Sequence, residues 1–441
     1  MRTCIDFNNN WALFLHGTSP LDNKDLSPDE SVNLPHIVDC SLTSHSNEKM
    51  ITGLWYAKTL SMTPDMHDQK IFLECGYVAS SASLYINNTA VLHHIGANTL
   101  FREDITSYLT KEENQIIIHV SSDESLPEKK DSYPDYLGIA GSVRLILVGE
   151  THFDLTFLGS DGFMVTPILK ENTAVLRLIS YITNPNENQT VLYEIFDHDN
   201  HMVASVESSA LCASASLSLP SPHLWNGTAD PYLYRAKASI LYRNIELDSV
   251  TIRFGIRSYY IHDDLGFFLN GMAYPLRLPS KKDPSVSFQC NDTADVMRAC
   301  LVTLKEKGVT YLNEVPYIHC RQYYELLDEL GLLASSVLSF APDFLKTASA
   351  KKDTLARMNE LIVQTYNHPS ICFYGISNPI MLDQEKEETL HDFKLFCTSL
   401  KRLDSSRKFI FPCLGVNDLE FAKIRYHQTL NYCHALGWYI S

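Results

Sequence analysis

Arg321-Gln322-Tyr323-Tyr324-Glu325-Leu326-Leu327-Asp328-Glu329-Leu330-Gly331-Leu332-Leu333-Ala334 is the stretch on which the fold turns. It reads as a helix from Arg321 to Leu330 stopped by Gly331, followed at once by the short apolar strand Leu332-Leu333-Ala334. The same unit repeats on both sides. Upstream, Asp292 to Lys307 carries Ala294, Val296, Met297, Cys300, Leu301 and Leu304 at helical spacing. Asn291-Asp292 offers that helix an N-cap and Gly308 a stop, and Gly308-Val309-Thr310-Tyr311-Leu312 reads as the next strand. Downstream come a helix over Asp353 to Tyr366, a strand over Ile371 to Ile376, a helix over Glu385 to Leu403 and a strand over Lys408 to Pro412. Helices alternating with strands over short links predict a parallel sheet, and this many repeats in one direction point to a barrel.

The residues before this region have a different rhythm. Leu54 to Leu60, Lys70 to Cys75, Ser83 to Ile86, Gln115 to Val120 and Val143 to Val148 are short runs, rich in β-branched and aromatic residues and bounded by turn residues. Asp123 to Pro134 is charged, contains proline and reads as a surface loop. Strands without intervening helices predict a jelly-roll sandwich over residues 1–150. Thr173 to Tyr181, Thr190 to Asp197 and Ala236 to Tyr242 continue in β, and their spacing fits an immunoglobulin-like sandwich over 151–257. The α/β part occupies 258–441. The fold class expected is therefore multidomain β plus α/β: jelly roll, immunoglobulin-like sandwich and a (β/α) barrel.

Composition narrows the function. The 441 residues are 45% hydrophobic and 20% charged, which describes a folded globular chain of two to four domains. Lys and Arg number 36 against 52 Asp and Glu, giving a net charge of −16. Such an acidic chain lacks the basic footprint of a nucleic-acid or anionic-membrane binder. The start, Met1-Arg2-Thr3-Cys4-Ile5, has no basic segment followed by an apolar one, and the longest apolar runs are strand-sized, so a cytoplasmic location is expected. Eleven scattered cysteines with no CxxC pair predict reduced, mostly buried thiols and neither zinc nor a disulfide framework. His93-His94 and the His198/His201 pair lack a matching ligand set and read as structural. No GxSxG, P-loop or GxGxxG occurs, and no cofactor is expected.

Several stretches together resemble glycoside hydrolase family 2. They are Val32-Asn33-Leu34-Pro35-His36, Gly53-Leu54-Trp55-Tyr56-Ala57-Lys58, Phe101-Arg102-Glu103-Asp104 and Gly138-Ile139-Ala140-Gly141-Ser142-Val143-Arg144 in the first part. Leu224-Trp225-Asn226 with Pro231-Tyr232-Leu233-Tyr234, and Arg253-Phe254-Gly255-Ile256-Arg257, are similar to the end of the second domain and the start of the third. Tyr323 to Leu332 and Asn367-His368-Pro369-Ser370-Ile371 match barrel landmarks in order. The resemblance covers nearly the whole chain and implies a β-galactosidase- or β-glucuronidase-like, retaining O-glycosyl hydrolase.

The resemblance also implies where the chemistry should sit. A retaining glycosidase needs two carboxyl groups about 5–5.5 Å apart. In this family the acid/base Glu directly follows an Asn at the end of barrel strand 4. Here Asn378 is present, but Pro379 occupies the Glu position, and proline has no proton to give. The nearest downstream carboxylates, Asp383, Glu385, Glu387 and Glu388, read as a solvated helix start. The nucleophile is expected on strand 7, beyond a Gly-Trp-Tyr-like landmark, which here is Gly437-Trp438-Tyr439. The 184 residues from 258 onward fall short of the roughly 250 of a typical barrel, so the last strands and the nucleophile are expected beyond Ser441. Other cleft positions depart as well. Leu312-Asn313-Glu314-Val315-Pro316-Tyr317 keeps only Tyr317, with Asn313 where Arg is usual. Arg277 to Asp283 and Ala334 to Leu338 replace the usual polar strand-end motifs.

No catalytic residue is therefore assigned. Asn378, Tyr317, Asn313, Glu314 and Trp438 are the candidate carbohydrate-binding residues, while Trp55 and Trp225 read as core. Three functions stay open: a β-glycosidase completed from elsewhere, a non-catalytic carbohydrate-binding or scaffold subunit, and a product without function of its own. A barrel edge left open would need covering by a second copy or a partner chain.

Overall fold

The computed structural model describes residues 1–15, 19–22, 26–39, 53–79, 81–96, 99–110, 112–121, 136–262, 265–280, 293–313, 320–339, 347–377, 395 and 398–410. The fold is multidomain and rich in β-structure. Two antiparallel sheets face each other at the N-terminal end. One has four strands, in the order Thr3–Asp6, Val143–Val148, Lys70–Cys75, Phe101–Asp104. The other has six, in the order Glu30–Val32, Trp11–Phe14, Gly53–Ser61, Glu113–Ser121, Ser81–Ile86, Thr89–Ile95. Ile71, Leu73, Leu145 and Leu147 from the first sheet meet Leu54, Tyr56, Leu84, Ile116 and Ile118 from the second in one buried core. Alternate residues of each strand supply it, as pleating requires. The loop expected at Asp123 to Pro134 lies outside the described residues.

A second pair of antiparallel sheets follows. Phe163–Lys170, Thr173–Ser180 and Ser214–Pro220 form one; Met202–Ser209, Gln189–Phe196, Tyr234–Tyr242 and Ile245–Phe254 form the other. Gln189–Phe196 alternates buried and half-buried without a break, so Val191, Tyr193 and Ile195 face Leu176 and Leu178 across the core.

The last part combines a small antiparallel sheet (Tyr259–His262, Gly266–Leu269, Met272–Ala273) with four parallel strands. Tyr311–Asn313, Leu333–Ser339, Ile371–Ser377 and Lys408–Ile410 lie side by side in chain order. Helices α1 (Ala294–Glu306), α2 (Arg321–Leu330) and α3 (Ala348–Gln364) precede the first three. The expected helix at 321–330 has those limits. Gly331 ends it with φ +76°, a left-handed conformation that glycine takes without Cβ strain. A Cβ there would also lie 2.7 Å from Thr228 N and inside the contact distance of Gly227 O, so two backbones meet with no side chain between them.

Other limits differ from the sequence reading. The cap of α1 is Thr293, whose side chain accepts from Val296 N, and not Asn291-Asp292. Helix α3 starts at Ala348, before the expected Asp353, and the strand expected at Leu332 to Ala334 runs on to Ser339. The continuation Ser335-Ser336-Val337-Leu338 has too little apolar character to read as a strand, yet both serines are buried in the sheet. Of the six described cysteines only Cys75 and Cys372 are buried, so the expectation of mostly buried thiols does not hold among them.

Charged side chains join the three parts in an unbroken chain. Arg102 donates to Glu74, to Ser160 O and, at 2.6 Å, to Asp161. Arg144 Nη2 adds a second bond to Glu74 at 3.1 Å. On the other side Arg321 of α2 reaches Asp161 at 2.9 Å and Glu325 at 3.2 Å. Arg253 from the second sandwich spans Glu325 and Glu329, and Arg298 of α1 closes on Glu329. Burial alone would raise the carboxyls of Glu74 and Asp161. The guanidinium groups around them outweigh it and hold both below the usual carboxylate range.

Candidate active site

In an α/β sheet of parallel strands, reacting groups gather beyond the C-terminal ends of the strands. The four strands here end at Asn313, Ser339, Ser377 and Ile410. Their sequences, Tyr-Leu-Asn, Leu-Ala-Ser-Ser-Val-Leu-Ser, Ile-Cys-Phe-Tyr-Gly-Ile-Ser and Lys-Phe-Ile, contain no carboxylate.

The floor beneath the strands is aromatic, apolar and buried. Tyr311, Leu333, Cys372 and Phe373 share a cluster with Phe267 and Leu269 of the small antiparallel sheet and with Trp225. Phe373 meets Tyr259, Phe267 and Tyr311 edge-on, with ring centroids 5.9–6.2 Å apart. The opposite face of the same strands, with Leu312, Ala334, Ile371 and Tyr374, packs on the helices.

Ile371 and Tyr374 face the helices although they stand three positions apart, an odd spacing that simple alternation forbids. A β-bulge resolves this. Ala334 pairs with Ile371 and Ser335 with Phe373, so Cys372 is an extra residue and both Cys372 and Phe373 turn toward the floor. The Tyr259 hydroxyl donates to the carbonyl of Cys372.

The N-terminal end of this strand is clamped tightly. Arg257 Nη2 and Arg407 Nε both donate to Ile371 O, at 2.6 and 2.8 Å. Arg407 also holds Tyr366 O and His368 O, and pairs with Asp404. Asp328, 3% exposed, accepts from Ser370 N at 3.0 Å, Ser370 Oγ at 2.6 Å and His368 Nδ1 at 2.6 Å. Its own carbonyl accepts from the Trp225 indole at 2.9 Å, so Trp225, read as core, is buried and serves as a junction residue.

Electrostatics keep these groups out of proton transfer. Burial raises the hydroxyls of Tyr259 and Tyr374 and the thiol of Cys372, leaving all three protonated at neutral pH. Burial works against the charge on Arg407, but Tyr374 and Asp404 beside it outweigh that and keep it cationic. The described floor is buried and offers no acid or base.

Of the candidate residues, Asn313 closes the first parallel strand, level with Ser335 on the second and, through it, with Phe373 on the third. Glu314, Tyr317, Asn378, Pro379 and Trp438 lie outside the described residues, as do Asp383, Glu385, Glu387 and Glu388. Asn378 directly follows the last residue of the strand Ile371–Ser377 in sequence. Trp55 is 9% exposed and stacks on His119 at 3.8 Å on the outer face of the six-stranded sheet, away from the main core. His93 bonds Ser83 and His94 bonds Glu360, while His201 sits 3.4 Å from Asp197. Arg407 was missed entirely. It lies in the polar run Asp404-Ser405-Ser406-Arg407-Lys408, which reads as a surface turn, and nothing local betrays its burial.

The sequence profile described as Glycosyl hydrolases family 2 matches residues 161–257. The chain is thus similar to members of that family. Among curated relatives, a β-glucuronidase of Bacteroides fragilis is 27% identical over 409 residues, covering 86% of this chain and 56% of the relative. A β-galactosidase of Thermoanaerobacter pseudethanolicus is 25% identical over 442 residues, covering 95% and 56%. Among solved structures, an FMN-binding β-glucuronidase from Facaelibacterium prausnitzii L2-6 superposes with a TM-score of 0.82 at 28% identity, over 93% of this chain and 63% of that one. The chain spans about half the length of the curated relatives it matches. No described helix is long and apolar enough to cross a membrane.

Proposed function

We propose that this chain recognises β-linked glycosides at the C-terminal ends of its parallel strands and does not hydrolyse them by itself. The observation that carries the reading is the run Ser377-Asn378-Pro379. The strand stops at Ser377, and the next two residues stand where the family resemblance places Asn and the acid/base Glu. Without a carboxyl at that position, protonation of the leaving oxygen lacks its donor. The substrate class rests on relatives named β-glucuronidases and β-galactosidases. In this reading residues 1–150 are the jelly roll, 151–257 the immunoglobulin-like sandwich, and the parallel strands belong to a (β/α) barrel.

The test is a panel of nitrophenyl β-glucuronide, β-galactoside and β-mannoside with the purified chain. Activated leaving groups need little acid assistance, so the panel favours detection. Saturable binding without release of nitrophenol is the expected result, and turnover of any member overturns the proposal.

A further inference from the structure

Asp248 is wholly buried in the second sandwich, on the strand Ile245–Phe254. Its carboxylate accepts from Phe153 N at 2.9 Å, at the entry to that sandwich, and from Ser249 N at 2.9 Å. The cation that balances it comes from the far end of the sequence. Arg2 donates from Nε to Oδ1 at 3.0 Å and from Nη2 to Oδ2 at 2.8 Å, a two-pronged pair. Among the described residues Arg2 is the one cation paired with Asp248. A buried carboxylate deprived of its cation is costly, so this pair bears on the backbone at Phe153 and on the joint between the two sandwiches.

The segment that delivers Arg2 is lightly held. Thr3–Asp6 lies at the edge of the four-stranded sheet and pairs on one side only, with residues 144–147. Thr3, Cys4 and Asp6 are exposed, and Ile5 alone packs against the core, partly buried. The firm hold begins at the next residue. Phe7 is buried and donates its N–H to Val143 O at 3.0 Å, and its carbonyl accepts from the Trp11 indole at 2.7 Å. Asn8 Oδ1 takes Val143 N at 2.7 Å. Residues 2–6 are therefore a short arm between an anchor at Phe7 and a single buried pin at Arg2. An element with so few buried contacts opens at a lower free energy than the whole fold.

We propose that this arm is a releasable strap. Arg2 withdraws from Asp248 and Thr3–Asp6 peels from the sheet while both sandwiches stay folded, which loosens the backbone at Phe153. Closed, the strap locks the first sandwich to the second. Open, it leaves the polar side of their joint to Arg102 with Ser160 and Asp161. The claim is independent of whether the strand mouth binds glycosides.

Native-state hydrogen exchange on the full chain, at urea concentrations below the unfolding midpoint, tests it with wild type and Arg2→Gln. In wild type the protected amides of residues 3–6 and the amide of Phe153 should exchange through one shared opening. Its rate should rise less steeply with urea than exchange in the central strand Lys70–Cys75, because a local opening exposes less surface than global unfolding. This readout does not depend on any variant folding. Arg2→Gln keeps one neutral donor and loses the charge. It should speed exchange at both places by the same factor, roughly ten- to hundredfold, the worth of a hydrogen bond to a charged group. Three results overturn the proposal. One is a urea slope at residues 3–6 and Phe153 equal to that of the central strand. Another is different slopes at the two places. The third is an Arg2→Gln chain in which Phe153 exchanges at the wild-type rate.

Discussion

The carboxylate of Asp328 holds the imidazole of His368 at 2.6 Å, joining the last turn of α2 to the segment that leads into the strand Ile371–Ser377. The same carboxylate takes both polar groups of Ser370, and the main chain of Asp328 takes the indole of Trp225. One buried residue thus fixes a helix, a strand and a neighbouring sandwich.

Asp328→Ala should therefore be among the costliest single changes. It strands the buried N–H and O–H of Ser370 together with one imidazole nitrogen. A loss of about 3–5 kcal/mol is expected, measured as a fall in the urea midpoint with the slope preserved.

Two glycines with similar dihedral angles should behave very differently. Gly331 (φ +76°) abuts the backbone at Gly227 and Thr228, whereas Gly266 (φ +87°) has nothing within 4 Å of an added Cβ. Gly266→Ala should cost about 1 kcal/mol, the backbone penalty alone. Gly331→Ala should cost several-fold more, and comparison of thermal midpoints separates the two.

Arg102→Ala removes the cation shared by Glu74 and Asp161. Stranded buried carboxylates make a loss of about 3–5 kcal/mol the expectation at neutral pH. The sign of the pH dependence follows from the lowered carboxyls. Their contribution is present above the unfolded carboxyl values near 4–4.5 and is lost as pH falls through the lower folded values. Wild type should therefore lose stability on acidification below about pH 5, and Arg102→Ala should show a shallower slope there. Urea titrations between pH 3 and 6 check both.

His119 stacks on Trp55, and burial, reinforced by His93, lowers its imidazole to about 4. The unfolded chain takes up a proton near 6.5 while the folded one does not, so this group subtracts stability as pH falls from about 6.5 toward 4. The His119 ring resonance should titrate with a midpoint near 4 in the NMR spectrum. A midpoint near 6.5 would show that the ring is solvated.

Much of this architecture was legible in the residues. The helix from Arg321 to Leu330 with its stop at Gly331, and the strands Lys70–Cys75 and Val143–Val148, have the limits their pattern predicts. Local signals set them: apolar period, cap and stop. The strand through Ser335 and Ser336 was only half legible, because burial in a sheet edge-to-edge with two neighbours overrides the polarity of serine. The bulge at Cys372 left no local mark, since a phase change in an all-apolar run looks like any other apolar run. The candidate residues were placed by resemblance, and of them only Asn313 falls among the described residues, by its position in a strand. Apart from the local pairs Arg321–Glu325 and Arg407–Asp404, the partners of Arg102, Asp161, Arg321 and Arg407 were invisible because those bonds span elements far apart in sequence, where one chain gives no rule for pairing.

The meeting of Gly331 with Gly227 has a wider consequence. A joint made of side chains can creep: rotamers shift, a methyl group is gained here and lost there, and the angle between the parts drifts over generations. A joint made of bare backbone has no such adjustable layer. Its spacing is set by covalent geometry, so surrounding sequence is free to change while the docking angle stays inherited.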